Sequence, residues 1–122
     1  MVSQYLSEVK ELVKTKLTES IGNSNPVEKS MAYSAIAESK MVRAGLIFAS
    51  SEMSSSLEHD SVITLAASIE LMHTYSLIHD DLPCMDDDDI RRNQPSNHVK
   101  YGEANALLSG DALQALAYEI IC

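Results

Sequence analysis

The chain has no tryptophan, one phenylalanine, four glycines, three prolines and two cysteines among 122 residues. So little turn chemistry and so few aromatics argue against a sandwich or barrel and for helices. Cys84 and Cys122 supply no disulfide framework and no cysteine pattern of the metal-binding kind. A reducing cytoplasm fits. The N-terminus, "MVSQYLSEVKELVKTKL", carries charges throughout and lacks the apolar centre of a signal peptide. No apolar run is expected to reach the roughly 18 residues that cross a bilayer, so the expectation is a soluble cytoplasmic protein with no membrane partner. Basic residues are scarce as well. Nine of them stand against eighteen acidic ones, for a net charge of −9, which speaks against a general nucleic-acid-binding role. What remains is 45% apolar, enough for residues 1–122 to fold as a single domain.

The apolar residues recur at helical spacing nearly throughout. Val2, Tyr5, Leu6, Val9, Leu12, Val13 and Leu17 predict an amphipathic helix over 2–20. "GNSNP" breaks it. Asn25 then fits an N-cap, Pro26 the first helical position and Glu28 a capping box, so a second helix is expected to about Ser39. A third is expected after Arg43, to about Met53. Asp60 is placed to cap a fourth, which carries one apolar stripe of Val62, Leu65, Ala66 and Ile69 and another of Leu71, Tyr75, Ile78 and Leu82. Apolarity over so much of its circumference marks a central helix. Pro83 ends it. Residues 83–102 read as a loop with at most a helical turn, and a last helix spans about 103–121. No strand pattern and no internal repeat is evident. The last helix has no closing Gly, Pro or polar tail, and the chain reads like the front part of something longer.

The feature that does not serve a fold is "HDDLPCMDDDDIRR", residues 79–92, with six aspartates between 80 and 89. Asp80 and Asp81 sit where the helix dipole is negative, which disfavours each by several tenths of a kcal/mol, roughly. Four more carboxylates come after them. A hard cation would offset the repulsion, and an all-oxygen ligand set suits Mg²⁺, Mn²⁺ or Ca²⁺ rather than zinc. The glycine and terminal glutamate of an EF-hand are missing. Mg²⁺ is usually held by one or two carboxylates together with substrate phosphates, and Arg91 and Arg92 could bring forked donors to the same phosphates. A solvated acidic loop paired with its own arginines is the bland alternative.

The stretch "YSLIHDDLPCMDDDDIRRNQPSNHVKYGEANALLSGDALQALAYEII" resembles bacterial farnesyl diphosphate synthases, members of the short-chain trans-isoprenyl diphosphate synthases. It matches their first aspartate-rich motif, DDxxxxD, and the residues C-terminal to that motif. The resemblance covers nearly all of this chain and less than half of a family member. It implies the all-α isoprenoid synthase fold, here its N-terminal half, usually as a homodimer. It implies Mg²⁺ (or Mn²⁺) and two partners, isopentenyl diphosphate and an allylic diphosphate, dimethylallyl or geranyl. The allylic diphosphate leaves, the isopentenyl double bond attacks the resulting cation, and a proton is lost. By resemblance Asp80 and Asp86 are the metal-bridging aspartates, and Asp81 is the motif's second aspartate. Arg91 faces the allylic diphosphate; Arg92 and His73 face isopentenyl diphosphate. On its own, His73 would read as a satisfied polar residue of a packed helix.

Upstream, "AESKMVRAG" falls where the family has Gly-Gly-Lys-Arg-x-Arg-Pro. Lys40 and Arg43 match two of its cations and are spaced to share a helical face. Glu38, Ser39, Met41 and Ala44 depart from it, and a carboxylate beside a phosphate site is unwelcome. Tyr75 and Ser76 occupy the chain-length positions, where a bulky Tyr75 would stop growth near fifteen carbons; Tyr75 is equally an ordinary core aromatic. His79, His98, Cys84 and the methionines read as structural. The family's second aspartate-rich motif is absent. Three readings are open: the front part of a prenyltransferase making farnesyl diphosphate, or a geranyl or geranylgeranyl diphosphate synthase; an inactive remnant or helical interaction module; and a small Ca²⁺- or Mg²⁺-binding protein. The chain alone is expected to lack condensation activity and to self-associate through its unfinished apolar faces.

Overall fold

The computed structural model describes residues 2–54 and 56–122. Among the described residues six helices form it: α1 Val2–Ser20, α2 Pro26–Ala35, α3 Val42–Glu52, α4 His59–Asp81, α5 Asn97–Tyr101 and α6 Glu103–Ile121. α4 lies at the centre, with α6 along one side and α1 and α3 on the others. The apolar spacing of α1 does what its period predicts, burying Val9, Val13 and Leu17 against α4 residues such as Ala66 and Leu71. α4 and α6 approach closely at Gly110, where any Cβ would collide with the His79 ring.

Several boundaries differ from the sequence expectation. α2 starts as expected: Asn25 Oδ1 accepts from the Glu28 N–H at 2.9 Å, with Pro26 in the first turn. It ends at Ala35, not near Ser39. Residues 36–41 are irregular, and at their end Met41 takes a left-handed backbone, φ 48°, with its side chain buried in the core. Lys40 therefore precedes α3 and shares no helical face with Arg43. α4 begins at His59 with Glu58 in the cap position, so Asp60 sits inside the first turn and does not cap it. On α4, Val62, Ala66, Leu71, Ile78 and Leu82 are buried, whereas Leu65 and Ile69 are exposed.

α4 also corrects the reading of apolar runs. By length and composition it is long and apolar enough to cross a membrane. That is weak evidence, because α4 is the core helix here: α1, α3 and α6 cover it, and it buries Glu70 and Asp81.

A short hairpin interrupts the helices, against the expectation of no strands. β1 Ile90–Arg91 pairs antiparallel with β2 Gln94–Pro95, in the register Arg91 opposite Gln94. The two-residue loop is Arg92–Asn93, with φ of 53° and 62°, as a type I′ turn requires. Two residues per strand leave no alternation to read in the sequence. A buried polar seam fixes this hairpin to the helices. Asn97, just after β2, donates to Ser30 O at 2.9 Å and Ser34 Oγ at 2.8 Å on α2. Ser30 donates to Asn97 Oδ1, and Ser109 of α6 donates to Ser30 Oγ, both at 2.6 Å. Tyr33 O–H adds a bond to Pro95 O at 2.7 Å.

Candidate functional site

The aspartate run begins as the C-cap of α4. A helix end leaves carbonyls without partners. Here the N–H groups of the run return to them: Asp86 to Asp80 O at 2.8 Å, Asp87 to Leu82 O at 3.0 Å and Asp88 to Asp81 O at 3.2 Å. The folded-back loop sets Asp86 beside Asp80. Both are exposed, and among the described residues neither has a cationic side chain within ion-pair distance. Asp81 points the other way. Its side chain is 3% exposed and takes both arms of Arg91, from Nε at 3.0 Å and Nη2 at 2.7 Å. The bidentate pair raises the Arg91 pKa, chiefly through the hydrogen bond itself. Asp81 is thus a support for Arg91 rather than a partner of Asp80.

On the inner side of that pair lies a hollow of about 600 Å³, lined by Lys40, Arg43, His73, Arg91 and Arg92. Residues from the α2–α3 loop, α3, α4 and the hairpin meet here although they span 52 positions, from 40 to 92. Arg43 Nη1 lies 3.4 Å from His73 Nε2, so the arginine donates and the imidazole accepts. Burial, then Arg43, Arg92 and Arg91, push the His73 pKa below its ordinary value, which keeps the ring neutral at pH 7. Arg92 donates to Ser34 O at 3.4 Å, and burial draws its pKa down.

Two further residues shape the hollow and were not anticipated from the sequence. Glu70, buried on α4, accepts from the Ala44 N–H at 3.1 Å, at the start of α3, where no local side chain caps the helix. Burial pushes its pKa up; the Ala44 N–H, Arg43 and Arg92 oppose that. The available signal was a lone carboxylate inside an apolar helix, one turn before His73. Lys14 of α1 is the second. It holds Glu38 at 2.9 Å, and that hydrogen bond lowers the Glu38 pKa. The carboxylate that departs from the phosphate-binding signature thus has a cation of its own.

Tyr75 and Ser76 do not line this hollow. Tyr75 meets His79 edge-on at 5.5 Å, and Ser76 Oγ donates to His73 O at 2.7 Å. A larger apolar groove of about 750 Å³, with Leu46, Leu57, Leu65 and Ile121 in its walls, lies elsewhere and contains none of the candidate residues. Two charged parts thus meet at the Asp81–Arg91 pair: a run of exposed carboxylates, and a hollow lined mainly by cationic side chains.

The polyprenyl synthetase family model matches residues 24–122. The chain is 49% identical to farnesyl diphosphate synthase of Escherichia coli (strain K12) over 98 residues, covering 80% of this chain and 32% of that protein. It is 46% identical to geranylgeranyl diphosphate synthase of Cyanophora paradoxa over 119 residues, covering 96% and 39%. Among solved structures, the apo FPP/GFPP synthase from Zymomonas mobilis superposes with a TM-score of 0.91 at 35% identity, over 98% of this chain and 45% of that one. The geranyltranstransferase from Thermotoga maritima gives 0.84 at 38% identity, over 98% and 44%. The chain spans less than half the length of each of these relatives.

Proposed function

Because this chain belongs to the polyprenyl synthetase family, we propose that it forms the diphosphate-binding front part of a Mg²⁺-dependent prenyltransferase. The reaction joins isopentenyl diphosphate to dimethylallyl diphosphate to give geranyl diphosphate, and then to geranyl diphosphate to give farnesyl diphosphate, releasing one diphosphate and one proton at each step. The working unit is a homodimer of the longer protein. The observation that carries the reading is the convergence of Lys40, Arg43, His73, Arg91 and Arg92 on one hollow, next to the exposed Asp80 and Asp86.

Asp80 and Asp86 suit Mg²⁺ because they are exposed, oxygen-only and free of a competing cation among the described residues, whereas Asp81 is committed to Arg91. When bound there, Mg²⁺ supplies positive charge to the departing diphosphate. The chain's own side chains do the rest. Arg91, held rigid by Asp81, presents its remaining donor edge. Arg92, Lys40 and Arg43 bind the second diphosphate electrostatically, and Arg92 comes to it from a pinned turn. His73 accepts from Arg43, so its Nδ1 carries the proton and donates. Partial burial of Arg91, Arg92 and His73 strengthens their interactions relative to water.

The test is incorporation of isotope-labelled isopentenyl diphosphate by the natural protein, followed by product sizing. C15 product that disappears in Asp80→Asn supports the reading; absence of any labelled prenyl product from the unsubstituted protein sinks it. The 122-residue chain alone is expected to give no product. A C20 product is the second outcome worth naming, since a geranylgeranyl diphosphate synthase shares 46% identity over almost the whole chain.

A further inference from the structure

Beyond the aspartates assigned to Mg²⁺, the same loop holds a second and chemically different cluster. Asp87 and Asp89, on the loop before β1, and His98, in α5 after β2, place one ligand atom each within 4.8 Å of one another. Both aspartates are exposed. His98 is not: its side chain is 6% exposed, its Nδ1 is buried with no hydrogen-bond partner, and its Nε2 faces Asp89 Oδ1 at 4.0 Å. That gap is too long for a hydrogen bond. Two ligands of one tetrahedral ion with bonds of about 2.0–2.2 Å stand roughly 3.3–3.6 Å apart, so the two atoms reach ligand spacing by a shift of about half an ångström. Among the described residues Nε2 accepts no hydrogen bond, so its lone pair is available to a metal, with the ring proton on Nδ1. The neighbouring Ser96 hydroxyl is also buried without a partner, beside the Ser96 N–H that donates to Asp89 O at 2.8 Å.

We propose that Asp87, Asp89 and His98 form a second divalent-metal site, selective for a Zn²⁺-class ion over Mg²⁺, which joins the two ends of the Arg91–Arg92 hairpin. One imidazole nitrogen with two carboxylates suits zinc, cobalt or similar ions, while Mg²⁺ favours oxygen alone. The site's three residues bracket β1 and β2, so the ion would close a ten-residue loop, 89–98, and stiffen the turn that presents Arg92. The inference does not depend on the prenyltransferase reading, because its ligands and its ion are different.

The experiment is a Co²⁺ titration of the protein in a large excess of Mg²⁺, read by visible absorption and by the shift in melting temperature. One Co²⁺ per chain is expected, with the absorption of a nitrogen-ligated ion and a rise in melting temperature, since an ion that binds only the folded chain stabilises it. Both signals should vanish in Asp89→Asn and in His98→Gln and persist in Asp80→Asn. No Co²⁺ uptake against Mg²⁺, survival of the signal in Asp89→Asn, or its loss in Asp80→Asn would each overturn the proposal. Asp87→Asn and Asp89→Asn change exposed side chains, so they decide the matter even if the buried His98→Gln fails to fold.

Discussion

The exposed aspartates and the cationic hollow concentrate charge in opposite ways. Asp80, Asp86, Asp87, Asp88 and Asp89 stand in water. Among the described residues no cationic side chain lies within ion-pair distance of Asp80 or Asp86; Arg91 tempers the run from farther off, and backbone bonds tie the loop back to α4. The hollow is different. Arg91, Arg92 and His73 are partly buried there, while Lys40 and Arg43 are exposed, and the arginines come with built-in counter-charges: Asp81 for Arg91 and Glu70 between Arg43 and Arg92. One region waits for its counter-ion while the other is already organised. Removing a charge from the first should alter binding and spare the fold. Removing one from the second should damage the fold itself.

Asp81→Ala tests this contrast most severely. It strips a nearly buried bidentate pair and leaves Arg91 unmatched, so a loss of about 3 kcal/mol is expected in denaturant unfolding. Glu70→Ala comes next, at about 2 kcal/mol, because the Ala44 N–H loses its acceptor. Glu70→Gln keeps an acceptor and should recover much of that. A loss with Glu70→Gln as large as with Glu70→Ala would show that charge, not the hydrogen bond, matters. In the exposed run, Asp80→Asn should weaken Mg²⁺ binding about tenfold, roughly 1.4 kcal/mol, measured by titration calorimetry. Without metal it should leave stability unchanged or raise it by a few tenths of a kcal/mol, roughly, because one charge is removed from the negative helix end.

The weakest effect concerns pH. The folded chain holds the His73 pKa below 6.5, so between that lowered value and 6.5 the unfolded chain binds the extra proton. Stability from the neutral ring is complete above pH 6.5 and is lost as pH falls through the folded value. His73→Gln should therefore flatten the acid-side decline of the unfolding midpoint below pH 6.5. An unchanged slope would show that His73 does not titrate in the hollow as described.

The helices were largely legible: α1 follows a 3.6-residue apolar period, and α4 and α6 are long apolar stretches with no proline inside them, too long for strands. The end of α2 was not, because no Gly or Pro marks it. The hairpin was hidden for a related reason. Its turn uses Arg92–Asn93 where Asn-Gly would have announced it. Within the site, Asp80, Asp86 and the arginine pair stood out by density of charge alone. Lys40, Arg43 and His73 came from resemblance, and nothing in their own surroundings would have joined them. Glu70 and Lys14 escaped because their roles are to hold other residues, and such roles appear only when distant elements meet.

The seam of Ser30, Asn97 and Ser109 also bears on timing. Its bonds connect residues 67 and 79 positions apart, and closing such long loops is slow compared with forming a helix. During synthesis from the N-terminus, α1 to α4 exist before α6 has been made. Until Ser109 arrives, Asn97 can anchor the hairpin only to α2, and the side of the seam that faces α6 stays open to water. The seam thus gains its last bond only when α6 arrives, and a ribosome stalled before Ser109 would carry a helical chain whose arginine turn is anchored to α2 alone.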